Sequence, residues 1–439
     1  MSNSKLIFIE LNELNFSYVK KYLKENKLSN FQKIFDGKYY ETTSENDYEL
    51  LEPWIQWVSI HTGKKANEHK IFRLGDTADK NVIQIFEAVE QGGYSVGALM
   101  PMNTRNNLKS PKYFIPDAWT KTKTDGSFWS NFVYNTLSRL INRNAEKNFS
   151  YKDLFNFFIC FIKFAKIKNY YLYLNLFFKG LSQKYNFAII LDLFLHDIHM
   201  SFIKKHNVDF STIFLNASAH IQHHYFFNSK VDNNNLQNPE WHIEKKLDPL
   251  LEVIKVYDKI IGDYNKIQNY KIIITTGLSQ KKYDRKKFYY RLKNHEKFLK
   301  KIGISFKSVY PRMTRDFLVN FENQNDLNSA ETIFKSIETT DGKKIFTEVE
   351  KRDYSLFITL GYPEEIDKEF KIKIRDEFFD FYKDISFVGI KNGMHSPKGY
   401  LYLSDGVESG FIENNLNITN IYKILSNFFS LNTDLKKYE

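Results

Sequence analysis

Short apolar runs alternate along this chain with segments of helical length, and nothing else in the sequence constrains the fold as strongly. Residues 5–11 are apolar enough for a buried strand, and residues 14–26 follow as a helix. Residues 81–91 are again helical and 94–99 strand-like, which makes a βαβ rhythm. Further strands are expected at 209–215, 270–275 and 316–321, with helices at 248–266 and 325–337. This alternation predicts an α/β fold whose mostly parallel sheet is flanked by helices.

The rhythm breaks between residues 127 and 204, where long aromatic and aliphatic stretches are punctuated by lysines. The chain therefore divides into a first part of the α/β core (1–126), a helical insertion or cap (127–204), and the remainder of the core with a C-terminal segment (205–439). The apolar run 154–162 is too short to span a bilayer, and Lys163, Lys166 and Lys168 interrupt its continuation. Two uses of the insertion stay open: a helical cap packed on the sheet, or a basic, aromatic surface that brings residues 154–181 to a membrane.

Composition narrows the function classes. At 439 residues the chain can bury a substantial core, and an aromatic share of 17%, with 40 Phe and 28 Tyr, argues against disorder. The single cysteine, Cys160, excludes an intrachain disulfide framework. No export signal is visible around the short apolar stretch 6–9, so cytoplasmic residence is expected, with peripheral contact at the inner face of a membrane if the insertion touches lipid. The formal net charge of +11 suits nucleic acid, anionic lipid or a phosphorylated substrate. Zinc-finger spacing, RNP-like aromatic motifs and basic-region heptads are all missing from the sequence, which sets nucleic acid aside.

The chemistry-bearing segments come in a definite order. Residues 6–14 read Leu-Ile-Phe-Ile-Glu-Leu-Asn-Glu-Leu, and residues 52–63 read Glu-Pro-Trp-Ile-Gln-Trp-Val-Ser-Ile-His-Thr-Gly, followed by Glu68-His69 and by Arg73 in Phe-Arg-Leu-Gly-Asp. Residues 216–225 read Asn-Ala-Ser-Ala-His-Ile-Gln-His-His-Tyr directly after an apolar run, placing imidazoles and an amide at the end of a strand. Residues 271–279 read Lys-Ile-Ile-Ile-Thr-Thr-Gly-Leu-Ser, and residues 393–399 read Gly-Met-His-Ser-Pro-Lys-Gly. If Asn216 caps a helix, His220 shares a face with either His223 or His224 by the three-to-four residue spacing.

This ordered set resembles the alkaline phosphatase superfamily, especially its nucleotide pyrophosphatase and phosphodiesterase branch. In that branch an Asp-Gly pair ends the first strand and the Asp binds a metal; here Asn12 and Glu13 fall at those positions. The family's nucleophile, a Thr or Ser several residues before Ser-Ile, falls in the neighbourhood of Glu52 and Pro53, and neither repeats that chemistry. A metal-binding Asp and His become Asn216 and His220, the Asp-His pair of a Ser-Asp-His-Gly motif becomes Thr276 and Gly277, and the His of a Gly-x-His segment is kept as His395.

The resemblance implies an alkaline-phosphatase-like scaffold with one metal site partly kept and the other lost. The kept site would consist of Asn216, His220 and His395, supplemented by His223 or His224, and such a set suits one divalent metal, zinc above all, although a metal-free protein fits as well. Two-metal hydrolysis is not expected. Glu52 or Glu13 would serve as general base, His220 would stabilise the phosphate leaving group, and Asn12, Arg73, His224, Arg312 and Arg315 would hold substrate. The implied partner is a phosphate-bearing small molecule, a nucleotide sugar or a lipid-linked glycan. The implied activity is glycosyl transfer in surface-polysaccharide assembly, with a one-metal phosphodiesterase or phosphatase and an inactive binding protein as alternatives.

Overall fold

The computed structural model describes residues 5–144, 150–231, 236–312, 315–375, 377–408 and 416–431. Residues 145–149 of the expected insertion and 432–439 of the C-terminal segment lie outside these. Strands β1 (Lys5–Leu11), β2 (Lys38–Thr43), β3 (Val96–Leu99), β4 (Tyr113–Ile115), β5 (Phe210–Leu215) and β6 (Tyr270–Thr275) supply most of an eight-stranded sheet. Its order is Leu416–Asn417, β2, Lys398–Leu403, β6, β1, β5, β3, β4. From β6 to β4 every neighbouring pair is parallel, whereas Lys398–Leu403 runs antiparallel to both β6 and β2. The mostly parallel sheet flanked by helices is therefore the architecture of the core.

The reason lies in β1 itself, where Leu6 to Leu11 are buried on both faces, as a strand covered by two helical layers must be. Alternate side chains point to opposite layers. Ile7, Ile9 and Leu11 pack with Ile189 and Leu193 of the insertion, and Leu6 and Phe8 pack with Trp57 and Phe86 on the other side.

The insertion is helical, with helices Phe128–Asn144, Tyr151–Phe164, Tyr170–Ser182 and Tyr185–His206. The last is 22 residues long and apolar enough to cross a bilayer, but 67% of its apolar window is buried. It is the layer that covers the sheet. Helices Tyr151–Phe164 and Tyr170–Ser182 lie against it through Phe157, Phe161 and Phe177, which contact Phe194 and Phe187.

One expected strand belongs elsewhere. Residues 316–321 form Asp316–Asn320, which joins an antiparallel sheet with Ser308–Pro311 and Ser355–Leu360 rather than the parallel one. Its burial alternates, with Phe317 and Val319 inward and Leu318 half-buried, the period-two pattern of a strand covered on one face. These strands belong to a second apolar cluster built from residues between Phe288 and Ile390. Two further strands connect that region to the core: β7 (Ser279–Lys282) pairs with Gly393–Ser396, and β8 (Phe288–Leu292) pairs with Ile385–Ile390.

Candidate functional site

The carboxyl ends of β1, β5 and β6 meet at one point, where open α/β sheets place their ligands. The backbone ties them together: Asn12 N–H donates to Leu215 O at 2.9 Å and Glu13 N–H to Thr276 O at 3.1 Å. Just beyond β1 the chain turns sharply, and Glu13 adopts a left-handed φ of 59°. A non-glycine residue there costs roughly 1–3 kcal/mol, so its surroundings must hold it. They do so at both ends. Gln222 Nε2 donates to Glu13 O at 2.8 Å, Gln280 Nε2 donates to Glu13 Oε2 at 2.5 Å, and Asn12 Nδ2 donates to Glu13 Oε1 at 3.2 Å.

Two imidazoles meet this carboxylate. His223 Nε2 and His395 Nε2 each lie 3.3 Å from Glu13 Oε2. Their elements explain the convergence: His223 comes from the helix Ala217–Tyr225 that follows β5, and His395 stands opposite Gln280 in the β7 pairing. His395 Nε2 is buried, and the Glu13 carboxylate is the group it faces. Burial alone would raise the Glu13 carboxyl, but the fields of His395 and then His223 outweigh it and hold Glu13 well below the usual carboxylate range. The converse holds at His395, where burial depresses the imidazole and the Glu13 carboxylate more than restores it, leaving it above its ordinary value.

Glu52 forms the next layer. Pro53 occupies the first turn of the helix Pro53–Thr62, and Glu52 sits at its N-cap without making a side-chain cap bond, so its carboxylate is left to the cleft. Glu52 Oε2 lies 3.9 Å from His395 Nδ1, and burial raises its carboxyl against the pull of His395.

Neutral groups stand where the resemblance would place carboxylates. Asn12 Nδ2 donates to Asn216 Oδ1 at 2.7 Å, and Asn12 Oδ1 accepts from Trp57 Nε1 at 2.7 Å. Two carboxylates at this separation would repel unless a cation lay between them; two amides satisfy each other. The Trp57 ring also lies 3.3 Å from where a Cβ on Gly277 would stand. Gly277 turns with φ 69°, and a Cβ on Gly399 would come 1.9 Å from its carbonyl, so the backbone itself is packed tight here. Thr276 is also structural, its Oγ1 accepting from Tyr400 N–H at 3.0 Å.

The metal set read from the sequence is thereby altered. His223 and His395 converge, with Glu13 as the third donor, while Asn216 spends its amide oxygen on Asn12. His220 is not part of this trio; its ring lies 5.0 Å from that of His224, one turn along the same helix. His224 is directed away from the trio, its Nδ1 buried beside Gly389.

The expected arginines separate. Arg73 and Arg312 are exposed, the first on a loop whose carbonyl accepts from Asn103 Nδ2. Arg315 stands over the Tyr289 ring at 4.7 Å, in a basic rim that sequence reading did not foresee. There Lys391 lies 4.5 Å above Tyr283 and Lys287 is 6.0 Å from Tyr289. Burial first, and then repulsion from Arg315, lowers the ammonium pKa of both Lys287 and Lys391, and the charge of Lys391 reaches Glu52. Gln280 and Trp57 were likewise missed, although both lie within or beside the quoted motifs. Neither has a local signal, since Trp57 sits between Gln56 and Val58 and Gln280 between Ser279 and Lys281, and their roles come from contacts far along the chain.

No protein-family model matches the chain, and no curated protein matches it. Solved structures similar to it include a murine ectonucleotide pyrophosphatase/phosphodiesterase, at 11% identity over 98% of this chain and 95% of that one, with a TM-score of 0.41. Phosphonoacetate hydrolase from Sinorhizobium meliloti in complex with phosphonoformate has 10% identity over 97% and 96%, with a TM-score of 0.44. A wild-type alkaline phosphatase has 12% identity over 97% and 96%, with a TM-score of 0.41. At such scores the likeness carries no step of the chemistry.

Proposed function

We propose that the chain is an enzyme acting at a phosphate-linked bond of a small molecule, with one divalent cation held by Glu13, His223 and His395. The observation that carries this reading is their convergence: the three donor atoms all lie within 4.8 Å of one another. The donor chemistry fits, since one carboxylate with two imidazoles is a set that catalytic zinc sites use. A cation bound there would act as a Lewis acid toward a phosphoryl oxygen.

The remaining steps belong to the chain's own side chains. Gln280 and Asn12 fix the Glu13 carboxylate in place. Glu52, with its carboxyl raised by burial and set beside His395, is suited to take the proton of an attacking water or hydroxyl. Lys391 and Arg315 offer charge to the anionic remainder of the substrate. Pro53 stands in the neighbourhood of the family's nucleophile, so attack is direct and no covalent intermediate forms on that residue.

Water as acceptor makes the protein a phosphodiesterase or phosphatase, which is the reading adopted. A sugar or lipid hydroxyl in its place would give transfer from a nucleotide sugar or lipid-linked phosphate, and the same assay separates the two. Purified protein supplied with zinc is incubated with nitrophenyl phosphate esters and diesters, and separately with nucleotide sugars plus hydroxyl acceptors. Hydrolysis that is lost in Glu13→Gln and His395→Asn, each of which also weakens zinc binding in calorimetry by roughly tenfold or more, is the expected result. Turnover untouched by both substitutions, or zinc binding with no turnover of any substrate, would sink it.

A further inference from the structure

The two outer helices of the insertion leave an apolar face uncovered. On Tyr151–Phe164 the side chains of Tyr151, Leu154, Phe158 and Ile162 recur every three or four residues, and all are exposed, Tyr151 by 94%. On Tyr170–Ser182 the same spacing brings out Tyr171, Leu174, Phe178 and Leu181, with Tyr171 exposed by 81%. Ile167, between the helices, is 82% exposed. The inward faces are apolar as well, for Cys160, Phe164, Tyr173 and Leu176 are buried in the main core. Helices apolar on all sides normally sit inside a protein or a membrane. At the 150–250 Å² that an aromatic side chain can bury, this face amounts to something on the order of 1,000 Å², well above the patch a soluble monomer tolerates.

Charge decides what covers it. From Tyr151 to Lys184 the sequence holds six lysines, at 152, 163, 166, 168, 179 and 184, and one carboxylate, Asp153. Asp153 is buried and spent on the Ser150 cap, and Lys168 and Lys179 are paired with Asp263 and Glu252, but Lys152, Lys163, Lys166 and Lys184 form no ion pair among the described residues and keep the surroundings of the face positive. A second copy of the chain would set this charge against itself. At 14 and 13 residues the helices are too short to cross a bilayer, which needs about 20. Their aromatic and aliphatic stripes flanked by lysines match instead a pair of helices lying in the plane of an anionic lipid surface.

We infer that the face formed by Tyr151–Phe164 and Tyr170–Ser182 docks the protein on an anionic lipid bilayer. The insertion thus serves in both ways that its sequence left open, since Tyr185–His206 caps the sheet while the two helices outside it meet lipid. The lipid end and the site end are joined: Tyr185, three residues after the helix Tyr170–Ser182 ends, packs on Tyr225 with ring centroids 5.3 Å apart, at the end of the helix that carries His223. The docking stands independently of the chemistry at Glu13.

The test is flotation of the full-length protein with vesicles of phosphatidylcholine alone and of phosphatidylcholine mixed with phosphatidylglycerol. Binding is expected to the mixed vesicles only, to weaken as salt is raised, and to fall by roughly tenfold or more in Phe158→Glu/Phe178→Glu. Leu174→Ser/Leu181→Ser, which adds no charge, is expected to weaken it in the same direction, so a folding defect in one variant does not decide the matter. Equal flotation of parent and variants, or no flotation of the parent, overturns the proposal. So does a parent dimer that the same substitutions dissociate, because it would make a second copy the occupant.

Discussion

Asn12 shows how one buried amide can be satisfied on both sides at the end of a strand. Its amide nitrogen donates to Asn216 at 2.7 Å and its oxygen accepts from Trp57, so the orientation of the amide is fixed from both sides. The two asparagines are therefore not equivalent. Asn12→Asp replaces the donor by a charge at a position only 1% exposed and turns it against Asn216 Oδ1, whereas Asn216→Asp keeps an acceptor facing the Asn12 amide. The expected loss for Asn12→Asp is about 2–4 kcal/mol, and for Asn216→Asp about 1 kcal/mol or less, read from urea midpoints. Equal losses would contradict the assigned hydrogen bond. Motif order alone had marked Asn12, Glu13, Glu52 and His395, because each falls on or next to a position with a definite role in the resembling family. It did not distinguish His220 from His223. That choice depends on which helical face points at Glu13, and the angle of a helix against its sheet is not written in a local motif.

At the scale of elements, the helix Ile85–Gln91 carries its own pH dependence. It opens on a capping box in which Gln84 N–H donates to Glu87 Oε2 at 2.7 Å. Burial pushes the Glu87 carboxyl up to about 7, against the pull of that N–H. A carboxyl raised in the folded state costs nothing while both states are protonated, so below its ordinary value of 4.5 there is no penalty. The cost grows as pH rises toward about 7 and is constant above it. Glu87→Gln keeps the acceptor for the Gln84 N–H and removes the charge. It is expected to leave thermal stability unchanged near about pH 4 and to raise it near about pH 8, by something on the order of 3 kcal/mol. A uniform shift at both values would show that the charge is irrelevant. Element types were legible in the alternation: the strands at 5–11 and 270–275 and the helix now seen at Gln324–Ser336 come from strong local patterns. The sheet to which Asp316–Asn320 belongs was not, since pairing partners lie far along the chain and only the alternating burial betrays an antiparallel setting.

For the whole molecule, the net charge of +11 acquires meaning only through where it gathers. Besides the lysines of the insertion, the second apolar cluster brings Lys287, Arg315 and Lys391 together around Tyr283 and Tyr289 at the edge of the cleft. Their mutual repulsion, added to burial, lowers both lysine pKa values, and a bound polyanion would relieve that repulsion. Pyrophosphate, which carries charge without a base or a sugar, isolates this contribution. Its affinity for the protein is expected to fall steadily with ionic strength, and Arg315→Ala/Lys391→Ala should weaken it by roughly ten- to a hundredfold while flattening the salt dependence. Arg312→Ala is the control, because Arg312 is exposed at the end of Ser308–Pro311. If Arg312→Ala weakens pyrophosphate as much as the double substitution does, the charge acts at long range and the rim is not a binding site; if only the rim variant does, the two structural regions of the chain meet in order to build one anion-binding cleft.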